Sequence, residues 1–140
     1  MRQRYVSAMG ALMVILPLVL TTCSEDDAST LPPSNVSFAG AVQPILTTRC
    51  VNAGCHPGGG APFSLRADSS YILLVGDTAT VGACAGTLLR VRPSSADSSA
   101  IIRRLEGTSC GPQMPFGLAA LPQSEITLIR TWINEGAANN

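Results

Sequence analysis

The densest chemistry in the chain lies in seven consecutive residues, Cys50-Val51-Asn52-Ala53-Gly54-Cys55-His56. Two thiols on one short turn, with an imidazole directly after the second, suit three kinds of bonding. The thiols can add to the two vinyl groups of a haem and leave His56 beneath the iron. The usual spacing for that is C-x-x-C-H, and here four residues separate the cysteines instead of two. Cys50, Cys55 and His56 can instead hold zinc with one further cysteine as a Cys3His set. Cys50 can also pair with Cys55 as a disulfide. The four intervening residues are small or turn-prone, which permits the longer spacing to bulge.

Elimination narrows the choice of axial ligands. His56 is the only histidine in the chain, so a second imidazole from the same chain is excluded. Met1, Met9 and Met13 all precede Cys23, which leaves Met114 as the one methionine of a processed chain. It stands in C-G-P-Q-M-P, where Pro115 fixes the backbone beside it. A lone methionine usually fills a core. The upstream Cys-His motif and the following proline turn the reading toward an axial thioether. Such a soft ligand favours ferrous iron and raises the potential relative to a second imidazole.

Five cysteines leave one over after pairing. The N-terminus accounts for it. Arg2 and Arg4 precede an apolar run over residues 6–20, which is the pattern of a secretory signal and too short and interrupted for a membrane span. The run ends in Leu20-Thr21-Thr22-Cys23, similar to a lipobox with Thr22 where a smaller residue is usual, so Cys23 is expected to carry lipid. Residues 1–23 therefore read as a signal peptide. Residues 24–35 read as a polar tether, about 35 Å long if extended. Residues 36–140 read as the folded domain. Export places the chain in the periplasm or on the outer membrane, where disulfides persist. Cys84 and Cys110 are then expected to pair, closing a loop of about 27 residues worth roughly 3 kcal/mol.

Composition excludes other classes. The formal charge is zero, with nine arginines and no lysine, so a nucleic-acid partner is not expected. Three Phe, two Tyr and one Trp give a thin core that needs a staple. Gly58-Gly59-Gly60 lacks the trailing Gly-Lys-Ser/Thr of a phosphate loop. No Ser-His-Asp or Cys-His nucleophile can be assembled around a single histidine already engaged. With both axial positions filled, no site remains for a small-molecule substrate, and the chain is not expected to be an enzyme.

These residues resemble the monohaem class I cytochromes c, in particular small exported domains of planctomycete and myxobacterial type. The matching stretches are F-A-G-A-V-Q-P-I-L-T-T-R-C before the motif, C-G-P-Q-M-P-F-G, and L-P-Q-S-E-I-T-L-I-R-T-W-I-N-E-G-A near the end. In that family a Met-Pro loop commonly presents the axial thioether, and four-residue cysteine spacings are met among multihaem members. The resemblance implies an all-α domain with long loops around one covalent haem c, held by Cys50, Cys55, His56 and Met114. It implies electron exchange with redox partner proteins. Lipid on Cys23 would add a membrane anchor. The weighed alternative is a haem-free exported lipoprotein held by disulfides or a Cys3His zinc site. A haem sensor, with Met114 leaving to admit a gas ligand, is a further possibility.

Several elements must position these groups. Phe38, Val42, Ile45 and Leu46 have helical spacing, with Pro44 in a first turn or at a kink, and this helix delivers Cys50. Asp68-Ser69-Ser70 reads as the cap of a short helix over residues 71–75 that Gly76 stops. Tyr71 is expected to pack rather than to reach a propionate. Residues 88–91 read as extended. Asp97-Ser98-Ser99 reads as the cap of a helix over 100–106, with Gly107 ending it and Ile101, Ile102 and Leu105 facing haem or core. A last helix over about 122–135 carries Ile126, Ile129 and Ile133, with Leu128 and Trp132 beside them. Trp132 is expected to touch the first helix. Arg49, Arg66, Arg90 and Arg92 are the arginines considered for propionate pairing.

Overall fold

The protein is described by a computed structural model over residues 35–51, 55–57 and 62–140. The signal segment 1–23, the tether up to residue 34, the motif insert 52–54 and the glycines 58–60 lie outside the described residues, and with them the lipidation reading at Cys23.

The first helix is continuous over residues 38–51 but unevenly wound. A π-helical stretch, Phe38–Val42, leads into the α-helical turn α1, Gln43–Leu46, and a second π-helical stretch, Thr47–Val51, follows. Pro44 explains the winding. It has no N–H to donate, and its ring crowds the carbonyl one turn back, so the chain bonds one residue wider around it. The Gln43 N–H accordingly reaches the Phe38 carbonyl. Ser37 caps the start by accepting from the Gly40 N–H at 3.0 Å.

Three further helices follow: α2, Ser70–Leu74; α3, Ala100–Glu106; and α4, Gln123–Asn134. A 3-10 turn, Ala96–Ser98, precedes α3. The described residues form no ladder of strands, and the class is helical. The extended stretch near 88–91 makes only single bridges, Val75 with Val91, Thr78 with Leu89 and Leu89 with Ser99. Among the described residues, no helix is long and apolar enough to cross a membrane.

Gly107 ends α3 in a left-handed conformation at φ 67°, as glycine permits there. The expected serine caps of α2 and α3 do not form. The Ser69 hydroxyl donates to the Asp68 carboxylate and shares a hydrogen bond with the Ser64 hydroxyl. The Ser99 hydroxyl accepts from the Arg92 N–H and donates to the Ser95 carbonyl. Neighbours outside the helices hold these two side chains: Asp68 and Ser64 hold Ser69, and the Arg92 N–H takes the Ser99 oxygen that a helix N–H would otherwise use.

The core forms where the first helix meets α4. The Phe38 ring lies 5.1 Å from Trp132 and 5.2 Å from Tyr71. Ile126, Ile129 and Ile133 are buried along one face of α4, and Leu128 is half-buried. Each large side chain buried here stabilises the fold by about 1.5–3 kcal/mol. The polar tips of the aromatics are satisfied: Trp132 Nε1 donates to the Ala138 carbonyl and the Tyr71 hydroxyl to the Ala137 carbonyl, both at 2.9 Å. Tyr71 is thus a packing residue.

Arg130 of α4 binds Glu106 with two nitrogens and Asp97 with a third, fastening α3 and the 3-10 turn to α4. The chain ends on the first helix. Asn140 accepts from the N–H groups of Phe38 and Ala39, and the Glu135 carboxylate accepts from the Val36 N–H.

Candidate functional site

Cys50 sits in the last turn of the first helix, half-buried against the core. Its carbonyl accepts from the Cys55 N–H at 3.2 Å and from the His56 N–H at 2.9 Å. The four-residue spacing is therefore closed by two backbone bonds onto the helix end, which brings the second thiol and the imidazole back beside the first. This is how the longer motif keeps its three functional groups together. Burial, with Cys55 and Glu125 adding, pushes the Cys50 thiol up to about 11.

His56 is oriented by the segment that follows it. Its Nδ1 lies 3.0 Å from the Phe63 carbonyl, and its own carbonyl accepts from the Leu65 N–H. A carbonyl can only accept, so Nδ1 donates its proton there, and Nε2 is the ring nitrogen not held by this bond. The Phe63 ring flanks the imidazole at 4.9 Å between centroids.

Met114 arrives on a loop fastened to the end of α3. Its N–H donates to the Arg104 carbonyl at 2.8 Å, and the amide of Gln113 donates to the Leu105 carbonyl at 2.9 Å. Cys84 and Cys110 form a disulfide, as the cysteine count predicts, and tie this loop to the 77–91 segment. The peptide between Met114 and Pro115 is cis.

Cys50, Cys55, His56 and Met114 all line one cavity of about 340 Å³, in the size range of small-molecule sites. Its walls are otherwise mostly apolar, from Leu46, Leu74, Leu105 and Ile129 among others. The four side chains come from two distant parts of the chain, and the fold brings them to one space.

Two arginines also line it. Arg90 is 6% exposed. Its guanidinium binds the Leu73 carbonyl, Thr80 and the Asp77 carboxylate, and lies 4.4 Å over the Phe63 ring. Its Nε is buried with no hydrogen-bond partner among the described residues, an arrangement that calls for an acceptor. The other three arginines considered lie elsewhere. Arg49 makes a two-point pair with Glu125, Arg66 is exposed beside Asp68, and Arg92 is exposed.

Arg104 was not among the expected residues. Its Nη1 donates to the Cys110 carbonyl at 2.7 Å and lies in a slot between Gly82 and Gly111. A Cβ on Gly111 would stand 2.2 Å from that nitrogen. A signal for Arg104 existed: it follows Ile101 by three residues and precedes Leu105, both of which line the cavity from α3. Phe63 gave no comparable signal, because its contribution is a backbone carbonyl and a position between two side chains.

Compared with protein-family models, with curated proteins and with solved structures, the chain matches none.

Proposed function

We propose that the protein is an exported electron carrier with one haem c, bound through thioethers at Cys50 and Cys55, with His56 and Met114 as axial ligands. The observation that carries this reading is the convergence of two thiols, one imidazole and one thioether on a single apolar cavity. A porphyrin iron, when bound, supplies reversible one-electron chemistry.

The chain's own residues do the rest. The Phe63 carbonyl holds the His56 ring so that Nε2 faces outward as a donor. Apolar side chains exclude water from the space between the ligands. Arg104 brings a positive charge to an otherwise greasy cavity, and Arg90, already paired with Asp77, brings a buried Nε that lacks an acceptor. A flat apolar group with two carboxylates meets both demands, whereas a purely apolar ligand would leave the Arg90 Nε unsatisfied. On this reading the protein catalyses no reaction of its own and exchanges electrons with redox partner proteins, near a membrane if Cys23 is lipidated.

Two observations on the described residues favour haem over the zinc alternative. The Cys84–Cys110 disulfide removes both remaining thiols of the described residues, and no three His, Cys, Asp or Glu side chains converge there as a metal site.

Mass spectrometry of the full chain, made together with a haem-attachment system, is expected to show one haem adduct on the segment spanning Cys50 and Cys55. The ferric protein should show the weak red band of methionine ligation, and Met114→Ala should abolish that band and lower the potential. A colourless product, or both motif thiols found without porphyrin, would overturn the reading; a spectrum unchanged by Met114→Ala would reject Met114 as ligand.

A further inference from the structure

Val81 and Phe116 line the cavity and are also 48% and 65% exposed, so they stand at its mouth. Leu118, 55% exposed, follows Phe116 on the same loop. The two segments that carry these side chains, 78–89 and 107–124, contain no acidic or basic residue. The disulfide joins them, so this rim is held in place before anything meets it. The charges of the domain lie off these segments: Arg49 pairs with Glu125, Arg130 with Asp97 and Glu106, and Arg90 with Asp77, while Arg104 reaches between the two segments part-buried, its Nη1 held on the Cys110 carbonyl.

We propose that this uncharged apolar rim is the face on which a redox partner protein docks, and that the partner's own contact face is apolar and uncharged. The proposal rests on the haem reading, since the rim surrounds the opening of that cavity. Charge decides the nature of the partner. A charged docking face would lose its water against a rim that offers no counter-charge, and that loss opposes binding. Exposed large apolar side chains gathered at one opening favour contact with a like surface. Association is then governed by apolar burial and is insensitive to salt, unlike steered encounters between charged carriers.

Voltammetry of the haem-loaded full chain on gold coated with methyl-, carboxylate- or amine-terminated alkanethiols tests this directly, the methyl surface standing for an apolar partner. Electron exchange is expected to be fastest on the methyl surface and constant from about 10 to 500 mM salt. Leu118→Glu should slow exchange on that surface by about tenfold, as for loss of a contact anchor, and Leu118→Ser should slow it less. Both should keep the red band and midpoint potential, because Leu118 does not line the cavity. Ile72, 72% exposed on α2, is the control, and Ile72→Glu should change nothing.

Faster exchange on a charged surface, a rate that varies with salt, or equal loss in Ile72→Glu would overturn the proposal. A dimer in sedimentation that Leu118→Glu dissolves would assign the rim to a second copy instead. Binding to phosphatidylcholine vesicles that the same variant abolishes would assign it to a membrane. Protein without a Soret band would defeat the haem reading itself, an outcome distinct from loaded protein that is indifferent to the surface.

Discussion

The cavity has a helical wall and a loop wall, and they are held by different forces. The helical wall comes from the first helix, α3 and α4. Behind it lie Phe38, Trp132, Ile102 and the α4 isoleucines, all buried. The loop wall comes from 77–91 and 107–121. Behind most of it is a small cluster of Ala79, Cys84, Ala100 and Cys110, with Leu88 partly buried, while Val91 and Leu121 at the ends of the two stretches belong to the main core. What fixes the loop wall is a set of point fastenings: a disulfide, the hydrogen bonds of Arg104, and glycines whose missing side chains let Arg104 through. Bulk apolar packing can hold a wall without knowing its ligand. Point fastenings set the position of one stretch of backbone, and the stretch set here is the one that carries Met114. The two walls should therefore fail differently.

The largest effect is expected from the helical wall. Trp132→Ala should cost about 3–5 kcal/mol, since it empties a fully buried site that small neighbours cannot refill. Urea unfolding should show the loss equally in haem-free and haem-loaded protein. A loss confined to one form would mean that the helical wall depends on the cofactor after all.

Replacing the disulfide, Cys84→Ser with Cys110→Ser, should cost about 3 kcal/mol. Its signature should differ: far-ultraviolet circular dichroism persists at 25 °C, while the red band of Met114 ligation fades and the potential falls. An intact band would show that the remaining fastenings suffice to place Met114.

Gly111→Ala sharpens the same contrast. Gly111 has φ 116°, and the new Cβ would collide with the Arg104 guanidinium. We expect a loss of about 1–3 kcal/mol with a weakened red band. Gly86→Ala, also at positive φ but with nothing near it, should cost about 1 kcal/mol and leave the band alone. Equal spectra for the two variants would remove Arg104 from the fastening of the loop.

The smallest effect belongs to the Arg49–Glu125 pair. Arg49 is exposed at the surface, where water competes for both partners. Arg49→Gln should leave the unfolding midpoint and the spectrum unchanged within error. A measurable spectral shift would place Arg49 closer to the site than its ion pair implies.

The same division governs what could be read from the chain. The helical wall was legible because its signal is periodic. The spacing of Ile126, Ile129 and Ile133 gave α4 its buried face, and Phe38, Val42 and Leu46 gave the first helix its own. Gly107 marked the end of α3 because only its backbone freedom was needed there. The disulfide followed from counting. The loop wall was legible only in Met114, the proposed ligand. The slot around Arg104 needs Gly82 and Gly111 to meet, and nothing local to either residue says that they do. Four arginines looked equivalent for a propionate, and burial alone singled out Arg90. The serine caps of α2 and α3 were not legible, because a hydroxyl's partners depend on which groups the fold brings near it, Asp68 and Ser64 for Ser69 and the Arg92 N–H for Ser99.

The hydrogen bonds from the first helix to Asn140 bear on the order in which the domain closes. The start of the helix that carries Cys50 is tied down by a residue far along the sequence, so those bonds wait for distant parts of the chain to meet. Until they do, both motif thiols meet water, and the burial that raises Cys50 in the folded protein is not in force. On the proposed reading, a covalent group is thus tied to an open segment of the exported chain, and folding then closes over it.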